Sequence, residues 1–369
     1  MFQRWWFQTI VIFCIITSSI NFRVDLRKRR IVRLRLWIQV FMYITIISLA
    51  LFIPFCIKDI FEKSQLYLTN PVAIYANNTT ALIRILMFLV VAVTLQQRYK
   101  RLESWLEAIM EIQMNYFDRQ TKPLAELRDV SHRKWLYLSS LIAVTHYAIE
   151  STNLGLHNSE MENNIDFTLY PFFFMLSIQH TFMLIHAGLL CYLRECFSIL
   201  HGQLSQRWVD PQLPAIYNRL RCLYGQLNQI YGPSMLCVIL CVLLSNSMVG
   251  YITLVIILLP DLDRMIYKHI FGSIFYGFLL IHWYIYFMLC DEVETTIRDI
   301  EIILIGYATN KCESIERELE LLILSRCLHS PSVNFCGILD INWNSLFCIF
   351  AQTVSYIITL VQLDYVNLI

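Results

Sequence analysis

The sequence predicts an all-α polytopic membrane protein with seven transmembrane helices, its amino terminus cytosolic and its carboxyl terminus extracellular. Three observations carry that prediction. The hydrophobic set makes up 57% of the chain and charged residues only 15%, against roughly 25% charged in an ordinary soluble domain. Stretches near the roughly 20 apolar residues that a helix needs to cross about 30 Å of hydrocarbon recur along the whole chain. The basic residues cluster in alternate connections between those stretches. The net charge of +1 averages over that segregation, and no run of like charge is built for nucleic acid.

The elements follow in order. Residues 5–16 are apolar but too short to count as a span; Arg4 ahead of them and Thr17, Ser18 and Ser19 behind them fit a signal peptide. Cleavage there would leave the next block, RVDLRKRRIVRLR, outside the cell, against the positive-inside rule. The segment is therefore assigned to the inner interface as a helix anchored by Trp5, Trp6 and Phe7, a re-entrant course being the alternative. The spans are 37–57, 81–97, 135–154, 168–193, 233–259, 269–290 and 343–363. With the amino terminus inside, 24 of the 29 Lys and Arg lie on the inner side. Lys58, Lys63, Arg264 and Lys268 lie outside, and Arg84 lies within the second span. The Asn-Xaa-Thr acceptors Asn77 and Asn78 fall on the outer side as glycosylation candidates.

This orientation separates function classes. A G-protein-coupled receptor has its amino terminus outside, and NPVAIY at 70–75 has the wrong spacing and the wrong loop for that family's motif. No HExxH, GxSxG or phosphate-cradling Gly-rich loop occurs, and ten glycines leave little material for one. A zinc site, a cofactor and an enzymatic activity are accordingly not expected. The twelve cysteines are scattered over apolar segments and inner loops, which reads as reduced and structural. A solute transporter would need broken helices and internal repetition, and neither is visible.

The last span carries the strongest signal. At 100° per residue, Gln352, Ser345, Thr359, Ser355, Asn344 and Gln362 fall in one arc about 100° wide. Phe350, Val354, Ile357 and Val361 lie opposite. Polar side chains are costly against lipid, so the stripe faces either neighbouring helices, with the amides as glue, or water in a pore. One stripe cannot enclose a water path, so the pore version requires several copies of the chain. Asp364 lies about 120° off the stripe and is a poor candidate for a selectivity ring.

SYIITLVQL at 355–363 resembles the signature of insect gustatory receptors: a Thr-Tyr pair, five hydrophobic residues, then Gln-Phe. Tyr356 and Gln362 match, Ser355 stands for Thr, and Leu363 replaces Phe. The upstream NFCGILDINW is similar to that family's stretch before its last span. The resemblance implies a homo- or heterotetrameric, ligand-gated, weakly selective cation channel with the last helix lining the pore. Its gate would lie at Gln362 and Leu363, with Tyr356 bracing the helix, and the smaller Leu363 puts resting leak in question. The implied division is 1–36, a cytosolic basic segment with an interfacial helix; 37–290, helices 1–6 as the ligand-binding bundle; 291–342, a cytosolic anchor region; and 343–369, the pore helix with a short outer tail. Expected partners are a small-molecule tastant, other receptor subunits, membrane lipid and permeating cations, in the plasma membrane of sensory neuron dendrites. A seven-span receptor that signals through partner subunits without conducting is the nearest alternative.

Two further expectations concern the inner and outer ends. AIYNRLRCLYGQLNQIY, with Ile216, Leu220, Leu223, Leu227 and Ile230 spaced by four and three, and KCESIERELELLILSRC read as amphipathic cytosolic helices that need a partner. They either fold back within one subunit or, as the resemblance favours, form a shared anchor. The ligand site is expected in the outer half of spans 2–6, where Arg84, His146, Glu150, Tyr170, Tyr251 and Tyr276 fall, with Arg84 and Glu150 as a possible pair. His180, His186 and His282 read as core residues.

Overall fold

The computed structural model describes residues 15, 20, 22–25, 30–67, 71–117, 169–205, 212–258, 266–309 and 332–368. Six long helices occur among them: α1 (Leu36–Tyr67), α2 (Pro71–Ile112), α3 (Leu169–Ser205), α4 (Leu213–Leu258), α5 (Ile266–Thr309) and α6 (Trp343–Leu368). Six of the seven expected spans lie on these helices. The third, 135–154, and the interfacial candidate 5–16, Ile15 apart, lie outside the described residues. Five stretches among those described are long and apolar enough to cross a membrane.

The helices run well past the bilayer. At about 1.5 Å per residue, the 42 residues of α2 and the 46 of α4 reach about 63 and 69 Å, twice the hydrocarbon thickness. The inner extensions are built on a three-and-four repeat of apolar residues: Leu102, Trp105, Ile109 and Ile112 on α2; Leu190, Leu193, Phe197, Leu200 and Leu204 on α3; Tyr217, Leu220, Tyr224, Leu227 and Tyr231 on α4; Val293, Ile297, Ile300 and Leu304 on α5. All of these are buried in one continuous core. Such a repeat presents one face per helix to a common axis. The first amphipathic segment, expected as a separate helix, is thus the inner half of α4, and its Leu220, Leu223, Leu227 and Ile230 are buried within their own chain. The second, 311–327, lies outside the described residues.

Continuity of α4 across Pro233 has a specific cause. Proline has no N–H for the carbonyl four residues back, which is that of Gln229. The Arg98 guanidinium on α2 supplies the missing donor, bonding the carbonyls of Gln229 at 2.6 Å and Ile230 at 2.5 Å. Burial and the neighbouring Arg101 pull Arg98 below the usual arginine value.

The helix α1 lies on the periphery. Met42, Ile46, Leu49, Ile53 and Cys56 turn inward at spacings of four and three, while Phe41, Ile44, Leu51 and Phe55 are exposed, as expected of a lipid-facing helix. Ahead of it, β1 (Phe22–Asp25) and β2 (Arg30–Arg33) pair antiparallel, with Phe22 opposite Arg33 and Asp25 opposite Arg30. Arg33 reaches Glu103 on α2 through two hydrogen bonds of 2.8 and 3.2 Å. The amino-terminal basic segment therefore contains a hairpin, which its charge had masked: the apolar residues Phe22, Val24 and Ile31 alternate with Arg23, Asp25 and Arg30.

Candidate functional site

The approach to α6 is fixed by a second small hairpin, β3 (Asn334–Phe335) and β4 (Leu339–Asp340). Cys336 and Gly337 have φ of 60° and 72°, and the Ile338 N–H bonds the Phe335 carbonyl at 3.1 Å. Two successive positive φ values are those of the tight hairpin turn that matches strand twist. Val333, Phe335 and Ile341 are fully buried and plug this hairpin into the helix bundle. Asn342 then caps α6, its Oδ1 accepting the Ser345 N–H at 3.0 Å in the usual manner of a helix N-cap.

Along α6, the residues turned toward the bundle are Leu346, Ile349, Thr353, Ile357, Leu360 and Asp364, again spaced by three and four. The centre of the polar stripe lies about 140° around the helix from the centre of that face. Gln352, Ser355, Thr359 and Gln362 are all exposed, as are Tyr356 and Leu363; only Ser345, near the cap, is half-buried. Thr359 Oγ1 bonds the Ser355 carbonyl at 2.9 Å, the ordinary way a hydroxyl is satisfied on a helix. Neither glutamine finds a side-chain partner among the described residues. Of the nonpolar face, Ile357 and Val361 contact the bundle, whereas Phe350 and Val354 are exposed.

Asp364 is fully buried on the opposite side of α6 from the stripe. Its Oδ2 accepts the Tyr251 hydroxyl of α4 at 2.5 Å. The pair lies in a small cluster of its own with Val72, Ala76, Met248, Ile252, Leu360 and Val361. Sequence analysis placed Tyr251 among the ligand candidates and noted Asp364 only as off the stripe. A carboxylate in an otherwise apolar helix end is the signal that could have prompted a search for a donor.

The sequence profile of the 7tm Chemosensory receptor family matches residues 7–367 of this chain. The chain belongs to that family. Its fold is also that of the insect olfactory receptor OR5 from Machilis hrabei. The OR5 structure in complex with eugenol superposes with a TM-score of 0.71 at 12% identity, covering 98% of both chains. A second OR5 structure superposes at 0.68, with the same identity and coverage. No curated protein matches the chain. These matches establish a mostly helical, multi-pass membrane fold, in a family of receptors rather than enzymes.

Of the outer-end residues expected in this chemosensory receptor, Arg84 and Tyr251 are the two whose side chains are described. Arg84 is half-buried on α2, one residue after Ile83, whose carbonyl accepts the Cys241 thiol of α4 at 3.3 Å. Its expected partner Glu150 lies outside the described residues, as does His146; the side chains of Tyr170 and Tyr276 do too. Asn77 and Asn78 lie within the helical α2 rather than in a loop, Asn78 buried and Asn77 half-buried. His186 and His282 are buried. His186 Nδ1 bonds the Tyr286 hydroxyl at 2.7 Å, and its ring stacks on Tyr231 at 4.6 Å. His180 has its side chain outside the described residues.

The inner ends of the receptor hold a buried ionic group that sequence reading missed. Glu301 on α5 is fully buried. Its Oε1 accepts the Tyr217 hydroxyl at 2.7 Å and the Arg221 guanidinium at 2.5 Å. Burial first, and then the Glu301 carboxylate, push the Tyr217 phenol up from its ordinary value, which keeps it a donor. Trp105 Nε1 on α2 donates to the Leu223 carbonyl at 2.7 Å. Arg219 and Glu111 pair at 2.5 Å on the exposed side.

Proposed function

We propose that this receptor is a subunit of a ligand-gated, weakly selective cation channel of the gustatory type, opened by a small-molecule tastant at the plasma membrane. The observation that carries the reading is the direction of the α6 stripe. Gln352, Ser355, Thr359 and Gln362 point away from the chain's own bundle, so they are not glue within one subunit. Two glutamine amides directed at lipid would each be costly. A water-filled axis shared by several copies satisfies them, and a tetramer is the assembly that the resemblance to gustatory receptors implies. Gln362 and Leu363 would then form the narrow ring near the outer mouth, where apolar side chains gate by dewetting, and Tyr356 would brace the helix beside the axis.

Binding in the outer half of the bundle would open the ring by favouring the state in which α6 moves outward; a ligand acts as an agonist only to the extent that it prefers that state. The experiment is a patch-clamp comparison of wild type, Gln362→Ala and Leu363→Ala in cells expressing this chain, across sugars and bitter compounds. Altered leak or ion permeability in the variants is expected. Wild type and variants that reach the surface yet never conduct would overturn the reading in favour of a receptor that signals only through partner subunits.

A further inference from the structure

We propose that Tyr251 and Asp364 are positioning residues for the gate: their hydrogen bond sets the rotation of α6 at the Gln362 and Leu363 ring and makes the ring move with α4. The proposal deepens the channel reading above and rests on it. Asp364 follows Leu363 directly, and successive residues on a helix point about 100° apart. With Leu363 on the exposed face, at 69% exposure, Asp364 is turned into the bundle. The bond therefore grips α6 from behind, at the level of the ring. A rotation of α6 by one residue's worth of turn would bring a different side chain to the axis and take Asp364 away from Tyr251.

Three features make this grip specific rather than ordinary packing. Both partners are fully buried, where a carboxyl group is tolerated only if hydrogen-bonded, and Asp364 meets that need by accepting the Tyr251 hydroxyl. The cluster around them is separate from the main core, so the outer end of α6 has its own attachment. Its α2 members, Val72 and Ala76, extend that attachment to a second helix of the outer half. On α4, Gly250, directly before Tyr251, faces Ile357 of α6. A β-carbon at 250 would fall 2.4 Å from Ile357 Cδ1 and 3.2 Å from its Cγ1. Glycine there lets the two helices approach closely enough for Tyr251 to reach Asp364, seven residues beyond Ile357 on the same side of α6.

The test needs no ligand. Resting current per surface copy is measured for wild type, Tyr251→Phe, Asp364→Asn and the double variant, with Leu363→Ala as the control for the channel reading itself. Tyr251→Phe deletes only the donating hydroxyl and should change resting current about fivefold or more. Asp364→Asn keeps the shape and one acceptor, so it should act in the same direction by less. The double variant should equal the larger single effect, because two residues acting through one bond are not additive. A merely structural pair would lower surface density and leave current per copy unchanged. Should Tyr251→Phe fail to reach the surface, Asp364→Asn carries the comparison. If Leu363→Ala alters current while the two bond variants do not, or if their effects multiply, the positioning role is overturned and the channel stands. If Leu363→Ala is also silent, the channel reading falls and this one with it.

Discussion

The inner and outer ends of the helix bundle are held together in opposite ways. At the inner end, four helices interdigitate on a regular repeat, and the polar groups among them are cross-linked between elements: Trp105 to Leu223, Arg98 to Gln229 and Ile230, Arg221 and Tyr217 to Glu301. At the outer end, α6 is attached along one narrow edge. Asp364 at its outer end is fully buried, but an 18-residue window of its membrane stretch has 0% of its residues buried, against 56% on α3, so among the described spans the pore candidate contributes least to the chain's own fold. On the proposed channel reading stability and conduction fall to different ends, and a substitution should affect one without the other.

The largest break in that division should come from Trp105→Ala. It empties a fully buried site and removes the bond to Leu223, costing about 3–5 kcal/mol, and is checked as loss of folded, detergent-extractable receptor. Glu301→Ala should cost nearly as much, about 3–5 kcal/mol, because Arg221 is left without its buried carboxylate. Replacing Glu301 and Arg221 together by leucine should be milder than the single change, and the thermal midpoint of the purified protein reads the difference. Arg98→Met should cost about 1–3 kcal/mol by leaving the Gln229 carbonyl unbonded beneath Pro233, with an accompanying loss of α4 protection in hydrogen exchange. Leu363→Ala should shift stability by less than about 0.5 kcal/mol, as exposed positions do, while raising resting current. At the small end, Arg219→Ala removes an exposed pair worth about 0–1 kcal/mol, and its thermal midpoint should be indistinguishable from that of wild type.

Much of the fold was legible because hydropathy and charge asymmetry depend on single residues in a window. Six expected spans fall on helices for that reason. What the window could not contain is the reach of one helix to another. Pro233 reads locally as a helix breaker, and only Arg98, on a different span, removes the break. The same holds at the candidate site: the stripe of Gln352, Ser355, Thr359 and Gln362 is a property of one helix and was readable, but its outward direction depends on which face Leu346, Ile349 and Ile357 bury. Tyr251 and Asp364 are 113 residues apart in the chain, so nothing in either neighbourhood names the other. The β1–β2 hairpin was missed for a local reason, since a strand of alternating arginine and aliphatic residues looks the same as a basic tail until its partner strand is known.

Pro233 and the cation beneath it give α4 the mechanics of a lever. The guanidinium of Arg98 pins the helix near its middle, at the boundary between the interdigitated inner bundle and the membrane. Beyond that fulcrum the outer arm runs from Pro233 to Leu258, about 38 Å at the usual rise. A tilt of only about 3° at the pin displaces the far end by about 2 Å by simple trigonometry on that length. Tyr251 sits most of the way out along the arm. The same tilt moves Tyr251, 18 residues beyond Pro233, by about 1.4 Å, so on the proposed channel reading a small molecule that wedges the outer helices apart would need little motion near the pin to disturb the Asp364 contact.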